Sequence, residues 1–341
     1  MSEETLRSIV LACIEEASKA PSSHNSQPWK FKVQEHADDD NLTVDVFADG
    51  TLRLVRTDID GRELMISCGA VLYSLTLAIR SKGYSCEVNY ANISQCKIKE
   101  AFLVASILVK SKKTTTTAGD DNAEALIRQI PKRVTYRGDF STNKLAESEL
   151  EAISKAIASE EGAWLQIVSP ERRKLLADMI YDANDLQWRD PAWRNELASW
   201  VRPYSSGDGL HIGPGILSPV VRLFISWFKF VGDFQGTNDR NLALAGPVLA
   251  VIGCSSADPI SWLKLGQALQ KGLLVASSMD IFVSFFNQPL QVQQFGGLAV
   301  SEIIDRPAGY PCLIIRLGKV DNSERVRANH SARRPLEQIL I

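Results

Sequence analysis

The sequence predicts an α+β fold built from two related halves within one chain. Three observations carry that expectation. A long, nearly all-apolar helical pattern occurs twice, over residues 62–82 and 262–278, and the two can be laid over each other with Gly69-Ala70-Val71-Leu72 against Gly266-Gln267-Ala268-Leu269. Short apolar runs that read as strands flank both helices. Between them, residues 110–122, with Thr114 to Thr117 and Asp120-Asp121, read as a solvated linker. Weak internal repetition of one αβ unit follows from these features.

Taken in order, residues 6–18 place Ile9, Val10, Cys13, Ile14 and Ala17 at helical spacing, and the helix stops near Pro21. Strands are expected at 29–33 and 42–47. In the helix over 62–82, Leu64, Ser67, Cys68, Val71, Leu72, Leu75 and Ile79 form a surface apolar enough to belong in a core. Strands at 86–90 and 101–109 complete the first half. Beyond the linker the order starts again, with a helix at 148–158, strands at 164–168 and 247–254, the second apolar helix, and a closing strand at 313–317. The predicted division is an N-terminal half over 1–110, a linker over 111–125 and a C-terminal half over 126–341. The second half holds an insertion over about 182–239 that contains Trp188, Trp193, Trp200 and Trp227. Loops of that length are usually functional or mobile, so the expectation is either a lid over a pocket or a helical subdomain packing its tryptophans.

At 341 residues, 45% hydrophobic, the chain can build a sizeable core. Its net charge of −2 offers no global basic field for nucleic acid or an anionic membrane, so the expected partners are small molecules. Six scattered cysteines, with no C-x-x-C, read as buried thiols in a reducing compartment. The start MSEETLRSIV carries acids and no apolar run, which points to the cytoplasm rather than to a signal or transit peptide. Residues 217–234 are interrupted by Pro219, Arg222, Lys229 and Gly232, too charged and short to span a bilayer; an amphipathic helix fits better. No dinucleotide-binding, P-loop or zinc-protease motif occurs. Gly207, Gly209, Gly213 and Gly215 read as loop residues, and Asp58, Asp60 and Glu63 as acids complementing a helix start.

The segment Ala20-Pro21-Ser22-Ser23-His24-Asn25-Ser26-Gln27-Pro28-Trp29 resembles the A-P-S-x-x-N-x-Q-P-W signature of the nitroreductase flavoprotein family. The resemblance implies a loop lying against the ring of FMN, contributed by Pro21, Ser22, Ser23 and Asn25, with Gln27, Pro28 and Trp29 structural. His24 falls at a variable position and reads as a surface or turn histidine. Lys132-Arg133-Val134-Thr135-Tyr136-Arg137 resembles the family's basic opening, which implies phosphate binding by Arg133, a hydrogen bond from Thr135 and a cation near the ring's N1 and O2 edge at Arg137. Fixed positive charge there would stabilise reduced flavin. Ser331-Ala332-Arg333-Arg334-Pro335-Leu336 resembles the late phosphate-binding segment and the ending of the Acg-like branch, implying Ser331, Arg333 and Arg334 as phosphate ligands. By the same resemblance Gln288 presents its backbone N–H to flavin N5, and Asn238 is a further cofactor contact.

The resemblance covers nearly the whole chain and implies a nitroreductase fold with mostly antiparallel sheets. Family members are homodimers in which two subunits clasp each flavin. Here the first half has the loop but no basic opening, and the second half has the opening but 159–164, Ser-Glu-Glu-Gly-Ala-Trp, where a loop would be. A pseudo-dimer with one FMN per chain is therefore expected, complete within a monomer. The implied function is an FMN-dependent oxidoreductase that reduces nitroaromatics, quinones or similar acceptors with NAD(P)H or another donor. With the chemistry residing in the flavin, no side chain is singled out as catalytic and no metal is expected. The alternative is an FMN-sequestering protein without nicotinamide-dependent turnover.

Overall fold

The computed structural model describes residues 5–36, 41–97, 99–113, 123–212, 217–228, 231–306, 309–328 and 330–341. Most of the linker expected at 111–125 lies outside them, as do Gly213 and Gly215.

The first half opens with helix α1 (Leu6–Ala17), whose start is capped by the Thr5 hydroxyl accepting from the Ser8 N–H at 3.2 Å. Strands β1 (Trp29–Glu35) and β2 (Leu42–Asp49), helix α2 (Arg62–Ser81), and strands β3 (Tyr84–Tyr90) and β4 (Ala101–Lys113) follow. The strands form one antiparallel sheet in the order β1-β2-β4-β3. Alternation decides which face is inside: along β2, Leu42, Val44, Val46 and Ala48 are buried while Thr43, Asp45 and Phe47 are half-exposed.

The second half runs α3 (Ala123–Ile127), α4 (Glu147–Ala158), β5 (Trp164–Ile167), α5 (Pro170–Arg189), α6 (Pro191–Ser199), α7 (Ser218–Trp227), α8 (Val231–Ala245), β6 (Val248–Cys254) and α9 (Pro259–Ser278). It ends with β7 (Phe282–Phe285), α10 (Gln288–Gln291), α11 (Gly296–Ile303), β8 (Tyr310–Gly318), α12 (Ser323–Arg327) and α13 (Leu336–Ile339). Its sheet is again antiparallel and ordered β5-β6-β8-β7, the same path as the first. Even the irregularity recurs: the register shifts at Val46/Phe47 in β2 and at Ile252/Gly253 in β6. Both α2 and α9 are 20 residues long.

These two helices cross at the glycines matched in the sequence. A Cβ on Gly69 would lie 2.0 Å from the Leu263 carbonyl oxygen, and one on Gly266 would lie 2.1 Å from that of Ile66. Each glycine thus faces the carbonyl three residues before the other, a reciprocal contact of the kind made across a two-fold axis. By length and composition α2 could cross a membrane, but it is buried along nearly its whole length at this crossing.

The C-terminal tail returns to the first sheet. Leu340 bridges Phe31 in parallel and the Ile341 N–H donates to the Phe31 carbonyl at 2.9 Å, so the residues before α13 are carried against the 18–27 loop. Several elements differ from expectation. Strand β7 was not anticipated, its residues being buried or half-buried without alternation, nor was α5, and the apolar stretch after 217 forms α7 and the start of α8 rather than one helix. All six cysteines are free thiols, five buried and Cys96 half-buried.

Candidate active site between the halves

A cavity of about 270 Å³ lies between the two sheets. Its walls come from Pro21, Ser22, Ser23 and His24 of the first half, from Glu63, Ile66, Ser67 and Ala70 on α2, and from Thr135, Arg137, Leu269, Phe285 and Gln288 of the second. Asn184, Gln187, Trp193, Leu197, Leu210 and Gln235, all from or beside the insertion, roof it.

The loop between α1 and β1 is held in an unusual backbone conformation. His24, Asn25 and Gln27 have φ of +53°, +53° and +47°, a region that non-glycine residues occupy at a cost of about 1–3 kcal/mol each, so the surroundings must enforce it. They do. The Ser22 hydroxyl accepts from the Gln27 N–H at 3.0 Å. Fully buried Gln27 donates to the Gly207 carbonyl at 2.7 Å and accepts from the Arg334 N–H at 2.9 Å, and Trp29 lies in the core, so these two residues are structural. Asn25 donates to the Ala332 carbonyl and accepts from Arg333 Nη1, both at 3.0 Å. The corresponding connection in the second half, from α4 to β5, is a short turn through Gly162.

Behind Thr135, and outside the residues that line the cavity, lies a basic pole. Arg133 Nη2 and Arg333 Nη2 both donate to the Lys19 carbonyl, at 3.4 and 2.9 Å, and Arg133 Nη1 lies 3.5 Å from Thr135 Oγ1. Among the described residues neither guanidinium has a carboxylate partner, and the Nε of Arg133 is buried without any partner. Burial, reinforced by Arg333, lowers the Arg133 pKa to about 9, and burial lowers that of Arg333 to about 10. Both remain charged at neutral pH. Burial and the same arginines push the pKa of neighbouring His330 down as well. Two desolvated cations close together without an acid could hold a dianion. Ser331 is exposed beside them, and its carbonyl accepts from Arg333 at 3.1 Å.

Two carboxylates hold the opposite wall. Buried Glu63 accepts from the Ser23 hydroxyl and, at 2.6 Å, from Gln291, which in turn accepts from Gln187 at 2.8 Å. Asp239 accepts from Asn184 at 3.2 Å and from Gln288 at 3.0 Å, which leaves the Gln288 backbone N–H at the first turn of α10. Asp58 caps α2 by accepting from the N–H groups of Glu63 and Leu64, each at 2.9 Å; burial and the nearby Glu63 raise its pKa to about 7.

Four sequence readings are corrected. His24 sits in a turn, as one alternative had it, but not on the surface: it is half-buried, it lines the cavity, its Nε2 is buried without a partner among the described residues, and burial together with Arg137 lowers its pKa to about 4. Glu63 does more than complement a helix start, as its bonds to Ser23 and Gln291 show. Arg334 is drawn away from the basic pole into an ion pair with buried Asp208, which also binds Arg202 at 2.7 Å. Asn238 is exposed on α8, and Gln235 reaches the cavity in its place. Arg137, open to the cavity yet ringed by protein atoms that lower its pKa, has no hydrogen-bond partner among the described residues. A polar residue beside the signature was the one available signal for His24; for Asp239 and Gln235 the sequence held none, because only tertiary packing brings α8 over the cavity.

The insertion both packs its tryptophans and roofs the cavity. Trp188 and Trp193 meet edge-on at 5.6 Å within a cluster that includes Val201 and Ile225. Its position is fastened by Glu196, whose carboxylate accepts from the N–H groups of Arg56 and Thr57 and from the Thr57 hydroxyl, all at 2.9 Å. The Gly209 N–H donates to the Asn25 carbonyl at 3.2 Å.

No family model matches the chain. It is 25% identical over 335 residues to the Mycobacterium tuberculosis H37Rv protein named "Putative NAD(P)H nitroreductase Rv3131", covering 92% of this chain and 85% of that one. It is 24% identical over 336 residues to "Putative NAD(P)H nitroreductase acg" of the same organism, covering 97% and 95%. Among solved structures, a "putative nitroreductase" from Anabaena variabilis aligns over 91% of this chain and 88% of its own, with a TM-score of 0.53 and 10% identity. Two antiparallel sheets of the same strand order, the reciprocal helix crossing and this likeness over nearly the full length converge: the chain has a nitroreductase fold duplicated within one polypeptide and is similar over most of its length to Mycobacterium tuberculosis proteins named putative NAD(P)H nitroreductases.

Proposed function

We propose that the chain is an FMN-dependent oxidoreductase of nitroreductase type, with one FMN between its halves. The observation that carries this reading is the convergence of Asn25 from the first half with Arg133 and Arg333 from the second, behind Thr135 and the signature loop that line the cavity. The residues suit the cofactor. Arg133 and Arg333, with Ser331 nearby, would hold the phosphate; Thr135 bridges toward the ring; Pro21, Ser22 and Ser23 would lie along it. Arg137 would supply positive charge at the N1 and O2 edge, and the Gln288 N–H would face N5. When bound, FMN supplies the electron-transfer chemistry between a donor such as NAD(P)H and a nitroaromatic, quinone or similar acceptor. The chain's own contribution is to bind, orient and shield.

A second reading, sequestration of FMN without nicotinamide-dependent turnover, draws support from the roof, which Glu196, Gly207 and Gly209 tie to the first half. Anaerobic mixing of the flavin-loaded protein with NADH or NADPH separates the two. Prompt bleaching of the yellow colour supports the oxidoreductase; colour that persists until dithionite is added contradicts it and favours sequestration.

A further inference from the structure

We propose that Cys254 and Cys312 are a dithiol that a small hydroperoxide oxidises to a disulfide between β6 and β8. Neither residue lines the cavity, and the inference does not rest on the flavin reading.

The pair arises where the strand register breaks. Cys254, the last residue of β6, faces Tyr310 across the ladder, Gly253 faces Pro311 and Ile252 faces Leu313, so Cys312 is the extra residue of a bulge opposite β6. The two Sγ atoms lie 3.6 Å apart, in contact, and a disulfide asks them to close to about 2 Å. A backbone carbonyl holds each side chain in place, Cys254 donating to Ser256 at 3.0 Å and Cys312 to Tyr310 at 3.3 Å. Both thiols are buried, but Ser255, Ser256 and Ala257 are exposed directly after Cys254, so its sulfur lies one residue from solvent. That position suits an oxidant the size of hydrogen peroxide.

The nucleophile toward peroxide is a thiolate. Contact between the sulfurs lets the remaining thiol donate to the first thiolate formed, which holds the Cys254 pKa below its ordinary value and pushes that of Cys312 well above; the nearby Arg62 guanidinium lowers both. Burial pushes the half-buried Cys96 thiol up to about 12 and raises Cys68 as well. The Cys254 thiolate attacks one peroxide oxygen, the O–O bond breaks, and a sulfenic acid forms with release of hydroxide, which takes up a proton to become water. The Cys312 sulfur then attacks the Cys254 sulfur, the S–O bond breaks, and the hydroxyl leaves with the Cys312 proton as a second water. Two thiols lose two electrons, and one peroxide is reduced to two waters.

The test treats the full-length folded protein with hydrogen peroxide, with circular dichroism unchanged, then denatures it in iodoacetamide and follows each cysteine by peptide mass spectrometry. The expected product is a cross-link between Cys254 and Cys312 within one chain, about 2 Da lighter than the dithiol, reversed by dithiothreitol and formed roughly 10-fold faster than oxidation of Cys68 or Cys96. In Cys312→Ser the reaction should stop at a Cys254 sulfenic acid that dimedone traps, and Cys254→Ser should leave Cys312 open to alkylation. Full alkylation of both cysteines after peroxide, a cross-link through another cysteine that forms first, or a link only between two chains would each overturn the proposal.

Discussion

Arg133 and Arg333 stay cationic at neutral pH because burial, though it depresses both pKa values, leaves them at about 9 and about 10, while both donate to backbone carbonyls. A charge-assisted hydrogen bond to a phosphate oxygen contributes about 1.5–3 kcal/mol. Arg133→Ala or Arg333→Ala should therefore weaken FMN binding by roughly 10- to 100-fold, measured by fluorescence titration, with little change in far-ultraviolet circular dichroism. Arg334→Ala should not share that loss, since its guanidinium is committed to Asp208; a loss of FMN affinity equal to that of Arg333→Ala would contradict the assignment. His24 makes a different statement. Its folded pKa of about 4 lies below the ordinary 6.5, so between those values the unfolded chain binds more protons, and the stability it contributes is present above pH 6.5 and lost as pH falls toward 4. In proton NMR the His24 ring signals should remain at their neutral positions from pH 5.5 to 8; a midpoint near 6.5 would refute its burial. The sequence showed the signature loop clearly, because seven of its ten positions, from Ala20 to Trp29, match the pattern. It did not show that the αL conformation of the loop turns a residue at a variable position into the cavity.

Among the elements, the α2–α9 crossing is the most demanding. A methyl group at Gly69 or Gly266 would overlap a backbone carbonyl that belongs to a buried helix and has nowhere to move. Gly69→Ala and Gly266→Ala should each cost about 1–3 kcal/mol in chemical denaturation, against the slight gain expected for the same change on an exposed helix. Asp58 adds a pH signature to the start of α2. Its pKa rises to about 7 on folding, so the folded state holds the proton more tightly, and this term weakens stability as pH rises from about 4 to 7 and levels off above. The lengths of α2 and α9 could be read in the sequence because a core helix writes its apolar pattern over five turns. Strand β7 could not, because its four residues are buried or half-buried without the alternation that marks a strand. The insertion also resisted reading: whether its tryptophans packed together or covered a pocket depended on contacts such as Glu196 with Thr57, 139 residues apart. Removing that contact with Glu196→Ala should loosen the roof and speed FMN release severalfold in a dilution experiment, with the equilibrium fold unchanged.

At the scale of the whole molecule, one chain does what two subunits would otherwise do. The halves share strand order, bulge position and the helix crossing, yet they have diverged around the cavity: the long strained loop lies only before β1, and Arg133 and Arg333, behind that loop, come only from the second half. The C-terminal tail that pairs with β1 is what carries Arg333 across to Asn25. That asymmetry was legible in the sequence as a loop without an opening and an opening without a loop. The most direct test is to strip the protein of flavin, titrate it with FMN and weigh the product by native mass spectrometry. Saturation at one FMN per chain, reached by a monomer, is the predicted result; two per chain, none, or binding only in a dimer would contradict the account.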